Sequence, residues 1–163
     1  MTGRTVIACS DGSDLSLGAL RSGLGVLDPA LTPVIVTVVP PIDWGAMHGT
    51  GHAGPLMDDA GYDAAMESLR VEGEKVLELT AAHLGLPDVE RCFMWGEPGP
   101  EICRLAEERQ AAAIVIGTRG HGGLRRAFLG SVSDHVARNA STPVVVAGAQ
   151  EEGDEVATAD RLE

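Results

Sequence analysis

The stretch from Gly117 to Ser131 has the residue types and spacing that most directly suggest chemistry. It is rich in glycine, and it connects an apolar run to a segment with helical spacing. Glycine adopts positive φ angles and lets the backbone approach a ligand closely. The first turn of a helix offers N–H groups that have no partner within the helix, together with a partial positive charge. The stretch therefore predicts an anion site suited to phosphate, to which the hydroxyls of Ser131 and Ser133 could donate.

This stretch differs from the two best-known phosphate-binding loops. It contains no Gly-Lys-Ser/Thr, as a Walker loop does, and the first strand–helix turn of the chain lacks the G-x-G-x-x-G of dinucleotide-binding domains. Spacing alone leaves a second interpretation open, in which the stretch is a flexible surface loop that leads into a capped helix. At the predicted helix start, Ser131 and Asp134 fit an S-x-x-D capping pattern.

A second candidate group follows the first apolar run of the chain, residues 5–9. Asp11 lies in a dense turn signal, Ser10-Asp11-Gly12-Ser13, which also predicts a helix start at Ser13 or a neighbour. Ligands in open parallel sheets bind beyond the carboxyl ends of the strands. We therefore predict that Asp11 contacts a ligand, and the alternative is an ordinary turn or helix-start aspartate.

Arginines and histidines elsewhere in the chain give weaker signals. Arg119 lies between two glycines, where it could contact phosphate, whereas Arg125 and Arg126 are expected to be solvated. His48 and His52 have the spacing of a helical metal-binding pair, but the glycines around them predict a loop. We therefore assign no metal ligand.

The acids and thiols give no catalytic group. Glu97 and Glu101 are expected to flank a helix start, where negative charge is favourable. The three cysteines have no CxxC or metal-ligand spacing, and each lies in an apolar run. They are predicted to be small buried hydrophobes: Cys9, Cys92 and Cys103.

Strands and helices alternate along the whole chain. β-branched apolar runs predict strands over residues 5–9, 33–39, 89–95, 111–116 and 143–147. Helical spacing and caps predict helices over residues 13–28, 62–84, 101–110 and 131–139. This order predicts an α/β fold: a doubly wound, mainly parallel five-stranded sheet, Rossmann-like, with helices on both faces. The ends of the first and fourth strands, at Asp11 and Gly117, are then the expected ligand edge.

Composition limits the partners and the domain count. A chain of 163 residues predicts one domain, here residues 1–148, and a net charge of −12 argues against nucleic acids and anionic membranes. Residues 149–163 are acidic and lack aromatics, which predicts a disordered tail. Residues 42–61 are glycine-rich without periodicity, which predicts a long flexible loop. No signal peptide or apolar segment of membrane-spanning length is evident, so we expect a cytoplasmic protein.

A family resemblance rests on the complete glycine pattern. The pattern G-x2-G-x9-G-[S/T], formed by Gly117, Gly120, Gly130 and Ser131, resembles the signature of ATP-binding universal stress proteins. The opening Val-Ile-Ala-Cys-Ser-Asp-Gly-Ser and the closing Thr-Pro-Val-Val-Val are also similar to that family. The resemblance covers roughly residues 3–148.

The resemblance implies an adenine nucleotide α-hydrolase-like domain that binds ATP, with Mg²⁺, and forms a homodimer. It implies ribose contact at Asp11, with Ser10 beside it, and a backbone contact near adenine at Val38. It implies phosphate contacts at two segments: Gly117, Arg119 and Gly120, then Gly130, Ser131, Val132 and Ser133. The apolar edge strand predicted over residues 143–147 is the expected dimer contact.

Three functions compete. The first is a regulatory stress-response module that holds ATP with little or slow hydrolysis and acts through an unknown protein partner. The second is an ATP-hydrolysing or nucleotidyl-transfer enzyme on the same fold, which needs a general base that the sequence does not single out. The third is a flavodoxin-like receiver or interaction domain without nucleotide, which needs clustered acids and a late lysine that this chain lacks.

Overall fold

The computed structural model describes residues 4–43, 58–118 and 129–148. Within these ranges the strands are β1 (Thr5–Cys9), β2 (Thr32–Val39), β3 (Glu90–Trp95), β4 (Ala113–Gly117) and β5 (Val144–Ala147). The helices are α1 (Asp14–Gly25), α2 (Asp59–Leu84), α3 (Pro98–Glu108) and α4 (Ser131–Asn139). The predicted tail, most of the predicted loop over 42–61, and the residues Arg119, Gly120, His48, His52, Arg125 and Arg126 lie outside the described residues.

All strand pairs are parallel, and the sheet order is β3-β2-β1-β4-β5. The chain first builds the sheet outward from β1 through β2 to β3, and then crosses back to place β4 on the other side of β1. The strand order therefore reverses between β1 and β4, which is where an open α/β sheet forms a crevice. The predicted α/β doubly wound fold is confirmed.

Each face of the sheet is covered by two helices. On one face, side chains such as Ile7 and Ile114 pack against Ile102 of α3 and Val136 of α4. On the opposite face, α1 covers the centre through Leu20 and α2 covers β2 and β3, with residues that include Ile35, Leu77 and Ala81. Because both faces are covered, the central strands must be almost wholly apolar, which explains the continuous β-branched runs in the sequence.

Two helix boundaries differ from prediction because of local capping residues. α2 begins at Asp59, not Tyr62, since the carboxylate of Asp58 accepts a hydrogen bond from the backbone N–H of Gly61 at 2.8 Å. This start lies inside the segment predicted as a loop over 42–61. α3 begins at Pro98 instead of Glu101, because proline lacks the N–H that the first turn leaves unpaired and its φ already suits a helix.

Other boundaries differ by one to three residues. α1 ends at Gly25, before the predicted end at Asp28. α3 ends two residues early and the strands β2 to β5 shift by one or two residues, whereas β1 and α4 have the predicted bounds. In the described ranges no helix is both long and apolar enough to cross a bilayer.

The close approach of α1 to the sheet gives a stability prediction. A Cβ at Gly23 would lie 2.5 Å from Cγ1 of Val115 and 3.3 Å from Cβ of Ala147. Gly23→Ala must push α1 away from a packed sheet, so we expect the free energy of unfolding to fall by about 1–3 kcal/mol in urea denaturation.

Gly25→Ala is the matched control for this prediction. No atom lies within 4 Å of a Cβ at Gly25, near the end of the same helix. That variant should keep or slightly raise stability, by about 0.4–1 kcal/mol, because alanine restricts the unfolded chain. Equal stability of the two variants would contradict the close packing at Gly23.

Candidate functional site

The carboxyl ends of β1 and β4 lie side by side. The two strands pair from Val6↔Ala113 to Cys9↔Ile116, so the residues that follow each strand leave the sheet at neighbouring positions. The turn after β1 carries Asp11, and β4 ends at Gly117. The two strand ends at which the sequence predicts a ligand are therefore neighbours in the sheet.

Ser10 is fixed by three hydrogen bonds to two other elements, β2 and α2. Its backbone N–H donates to the carbonyl of Val36 at 2.9 Å, and its own carbonyl accepts from Oγ1 of Thr37 at 2.9 Å. Its hydroxyl lies 2.8 Å from Oγ1 of Thr80 on α2. Ser10 is buried, with 7 % of its surface exposed, and its bonds fix the start of the turn.

The Asp11 side chain is oriented by Ser13, the N-cap residue of α1. Its Oδ1 accepts hydrogen bonds from the backbone N–H of Ser13 at 3.0 Å and from the Ser13 hydroxyl at 2.7 Å. Oγ of Ser13 in turn accepts from the N–H of Ser16, which confirms Ser13 as the helix cap. Asp11 is half-buried, and Gly12 beside it has a φ of +78°, so the turn needs glycine there.

Hydrogen bonds bring together the two ends of the connection between β4 and α4. The N–H of Thr118 donates to the carbonyl of Ala147 at 2.9 Å, which extends the sheet by one residue. The N–H of Gly130 donates to the carbonyl of Thr118 at 2.8 Å. The Ser133 hydroxyl donates to the carbonyl of Gly130 at 3.0 Å and lies 3.3 Å from that of Thr118. The start of α4 is thereby held against the carboxyl end of β4.

No described side chain caps the start of α4. Gly130 is the N-cap residue, and Ser131 is the first residue of the helix, so the predicted Ser131–Asp134 capping pattern is wrong. Asp134 instead forms an ion pair with Arg138 at 2.9 Å. Glycine at the N-cap has no side-chain oxygen that could accept from the first-turn N–H groups, those of Ser131, Val132 and Ser133, and such groups suit an external acceptor.

Val38 lies near the carboxyl end of β2, where it pairs with Met94 of β3. Its half-buried side chain packs against the apolar cluster beneath α3 and α4. β2 is the direct neighbour of β1, so Val38 borders the same edge as the Asp11 turn.

Burial affects the thiols, and pairing affects one of the two acids, that lie near the strand ends. Burial raises the pKa of the Cys9 thiol far above its usual value, and partial burial also raises the pKa of Cys92 and Cys103. A raised pKa disfavours the reactive thiolate. The predicted burial is confirmed for Cys9, whereas Cys92 and Cys103 are only partly buried. Glu97 caps the start of α3 by position, and Glu101 pairs with a neighbouring arginine on α3 at 2.6 Å. The described residues contain no cluster of three or more His, Cys, Asp or Glu side chains suited to a metal ion.

Sequence reasoning missed Thr37 and Thr80. Both threonines are buried and both bond Ser10, but they lie 27 and 70 residues away from it in the chain. Thr37 looks like an ordinary strand residue and Thr80 like an ordinary helix residue. The sequence therefore contains no signal that pairs either of them with the turn after β1.

Comparison with known proteins agrees with this geometry. The model of the universal stress protein family matches residues 3–148. This chain belongs to the universal stress protein family. It is 30 % identical over 149 residues to universal stress protein MJ0531 of Methanocaldococcus jannaschii, an alignment that covers 88 % of this chain and 81 % of that protein.

Solved structures share the fold. Hypothetical protein MJ0577 superposes with a TM-score of 0.68 at 17 % identity, over 90 % of this chain and 96 % of that one. A universal stress protein in complex with cAMP gives 0.58 at 23 % identity, over 92 % and 100 % of the two chains. One from Archaeoglobus fulgidus in complex with dAMP gives 0.57 at 22 % identity, over 90 % and 99 %. At these identities the likeness shows the fold alone.

The turn after β1 gives a second stability prediction. Gly12 has a positive φ, and a Cβ there would lie 3.0 Å from Cγ2 of Val76 on α2. Gly12→Ala therefore combines backbone strain with a steric contact, and we expect a loss of more than about 1–2 kcal/mol in the free energy of unfolding, the usual cost of the left-handed backbone alone.

Gly85→Ala separates the two causes. Gly85 also has a positive φ, of +70°, but no atom lies within 4 Å of its Cβ position. This variant should show only the backbone cost in the same denaturation experiment. If Gly12→Ala is no less stable than Gly85→Ala, the contact with Val76 does not constrain the turn.

Proposed function

We propose that this chain binds ATP, with Mg²⁺, at the carboxyl ends of β1 and β4, and acts as a regulatory stress-response module with little or slow hydrolysis. One observation carries the proposal: the start of α4, which no described side chain caps and where Gly130 is the N-cap, is held against the end of β4. β4 pairs with β1, which leads into the turn of Asp11, at the point where the strand order reverses. Unpaired N–H groups at a helix start suit an anionic group such as phosphate.

The phosphates would bind at the start of α4. The N–H groups of Ser131, Val132 and Ser133 and the hydroxyl of Ser131 are the donors in this proposal, and Gly130 permits close approach of phosphate. The Ser133 hydroxyl already donates to a backbone carbonyl, so its N–H is the group we assign to the ligand. Two further segments complete the proposed phosphate site: Gly117 at the end of β4, and Arg119 with Gly120 outside the described residues.

The nucleoside would bind across the ends of β1 and β2. A carboxylate accepts hydrogen bonds from ribose hydroxyls, and the two bonds from Ser13 hold that of Asp11 in one orientation. The Val38 backbone is the proposed contact near adenine. Ser10 lies beneath Asp11, and its place in the proposed site is to support the turn.

Two solved relatives support adenine nucleotides as the ligand class, since one is a complex with cAMP and the other with dAMP. The complete glycine pattern, ending in an uncapped helix start, favours a ligand with several phosphates. Mg²⁺ keeps most of its waters and needs few protein carboxylates when phosphates bind it, so the absence of an acidic cluster among the described side chains fits a phosphate-held ion.

One feature supports a protein that holds ATP without rapid hydrolysis, and a second supports a cytoplasmic location. Hydrolysis needs a base beside the attacking water, and Glu101, near the end of β3, is already paired with an arginine. The three cysteines are free thiols, which suits a reducing compartment.

Calorimetric titration of ATP with Mg²⁺ tests the proposal. The parent should bind, and Gly130→Val should lose at least about tenfold in affinity, because a branched side chain at the N-cap blocks the approach of phosphate to the helix start. Gly25→Val is the control, since it adds the same side chain in open space near the end of α1. It should bind as the parent does.

No binding by a folded parent that was purified free of nucleotide would refute the proposal. A steady-state assay of phosphate release on the same samples separates the two nucleotide functions. Release far slower than about 1 per second, the low end of ordinary enzyme turnover, supports a holding module. Faster release would favour the enzyme.

We also propose a homodimer through β5. β5 is an edge strand of the sheet. The carbonyls of Pro143 and Ala147 accept hydrogen bonds from β4 at 2.9 Å, so the alternate residues between them, Val144 and Val146, direct their N–H and C=O groups to the outer edge. Such an edge favours pairing with a second chain.

Sedimentation velocity at micromolar concentration tests this dimer. The parent should sediment as a dimer, and Val146→Pro should shift it toward monomer, because proline removes an outward N–H without removing a bond to β4. A Val146→Thr variant keeps the N–H and should remain dimeric. A monomeric parent would remove the dimer from the proposal.

A further inference from the structure

We infer that Thr80, on α2, is a positioning residue for the nucleotide site, and that its hydroxyl holds the turn of Asp11 through Ser10. The inference rests on the proposed function, since it concerns the same site. Thr80 lies beneath the turn and is not itself proposed to touch the ligand.

The hydrogen bonds around Thr80 form a chain with one direction. Oγ1 of Thr80 donates to the carbonyl of Val76 at 2.7 Å. A hydroxyl has a single hydrogen, so in the 2.8 Å contact between the two hydroxyls Ser10 must be the donor. The Ser10 oxygen then accepts from the backbone N–H of Gly12 at 3.2 Å. This series of hydrogen bonds thus runs from the backbone of the turn to the backbone of α2.

Burial makes this chain hard to replace. Thr80 has no exposed surface and Ser10 has 7 %. Water cannot readily take the place of a lost partner at such a depth, so a hydroxyl left unpaired there is unfavourable. The turn therefore has a strong preference for the geometry in which both hydroxyls are bonded.

Packing against the same turn of α2 reinforces the hydrogen bonds. The Val76 side chain, one turn before Thr80, lies 3.0 Å from the Cβ position of Gly12. From the other side, Thr37 of β2 donates to the carbonyl of Ser10. Asp11 is the residue between Ser10 and Gly12, both of which are held. The placement of its carboxylate thus depends on α2 as well as on its own strand.

Removal of the Thr80 hydroxyl should weaken nucleotide binding with the fold intact. Thr80→Val keeps the shape of the side chain but leaves Ser10 without its acceptor. The turn must then shift to find another, and a small misplacement of a binding group has a large effect on its contact. We expect the Kd for ATP with Mg²⁺ to rise about tenfold.

Calorimetric titration of Thr80→Val and four further variants against the parent tests the inference. Thr80→Ser restores the hydroxyl and should bind as the parent does. Ser22→Ala is the matched control, because Ser22 is also a helix residue whose hydroxyl donates to the carbonyl four residues earlier, at 3.1 Å; it lies in the second half of α1, and affinity should not change. Ser10→Ala should lose about as much affinity as Thr80→Val. The double variant, which combines the two substitutions, should lose no more than either one.

The outcomes separate this inference from the proposed function. If a folded parent does not bind ATP, both fall. If the parent binds and folded Thr80→Val binds equally well, or if the losses of the two single variants add in the double variant, the positioning role is wrong and the proposed function stands. If Thr80→Val does not fold, Ser10→Ala breaks the same chain from the turn side, and unchanged affinity in that variant also overturns the role.

Discussion

The parallel pairing of β1 with β4 is the contact on which the rest of the site depends. These strands are separated by three helices and two strands in the chain, yet they are direct neighbours at the centre of the sheet. Their pairing places the turn of Asp11 beside the end of β4. Gly130, at the start of α4, is bonded to the residue that follows β4, so the same pairing places near that turn a helix start that no described side chain caps. The core beneath is aliphatic, so the hydrophobic effect stabilises the pairing without specifying any ligand.

The core sets the approximate positions of the strands and helices. Polar contacts at the carboxyl ends of the strands then fix the residues of the candidate site. The carbonyl of Thr118 accepts from Gly130, which closes the connection between β4 and α4 at its base. Ser10 is bonded by two buried threonines from β2 and α2. These hydrogen bonds join the turn after β1 and the start of α4 to packed strands and to α2. Ligand-binding groups on loops gain accuracy when packed elements hold them.

Much of the fold was predictable because the relevant signals are local. The β-branched runs and the helical spacing predict all five strands and all four helices of the described chain. The errors have local causes as well. The sequence pattern places Asp58 in a loop and begins α3 three residues late. It also makes Ser131 the helix cap, although Gly130 holds that position. A serine next to a glycine fits two capping registers, and only backbone geometry distinguishes them.

The sequence alone is enough to predict the α/β class and the candidate residues at the two strand ends. Its complete glycine pattern also indicates the family. The sequence can do so because strand and helix periodicity and turn residues act over a few neighbours. The tertiary structure adds three features: Thr80 bonds Ser10, Val76 packs against the Cβ position of Gly12, and no described side chain caps the start of α4. The physical reason is that the contacts of Thr80 and Val76 join residues more than sixty positions apart. The packing of α2 against the sheet sets these distances, and no local propensity encodes them.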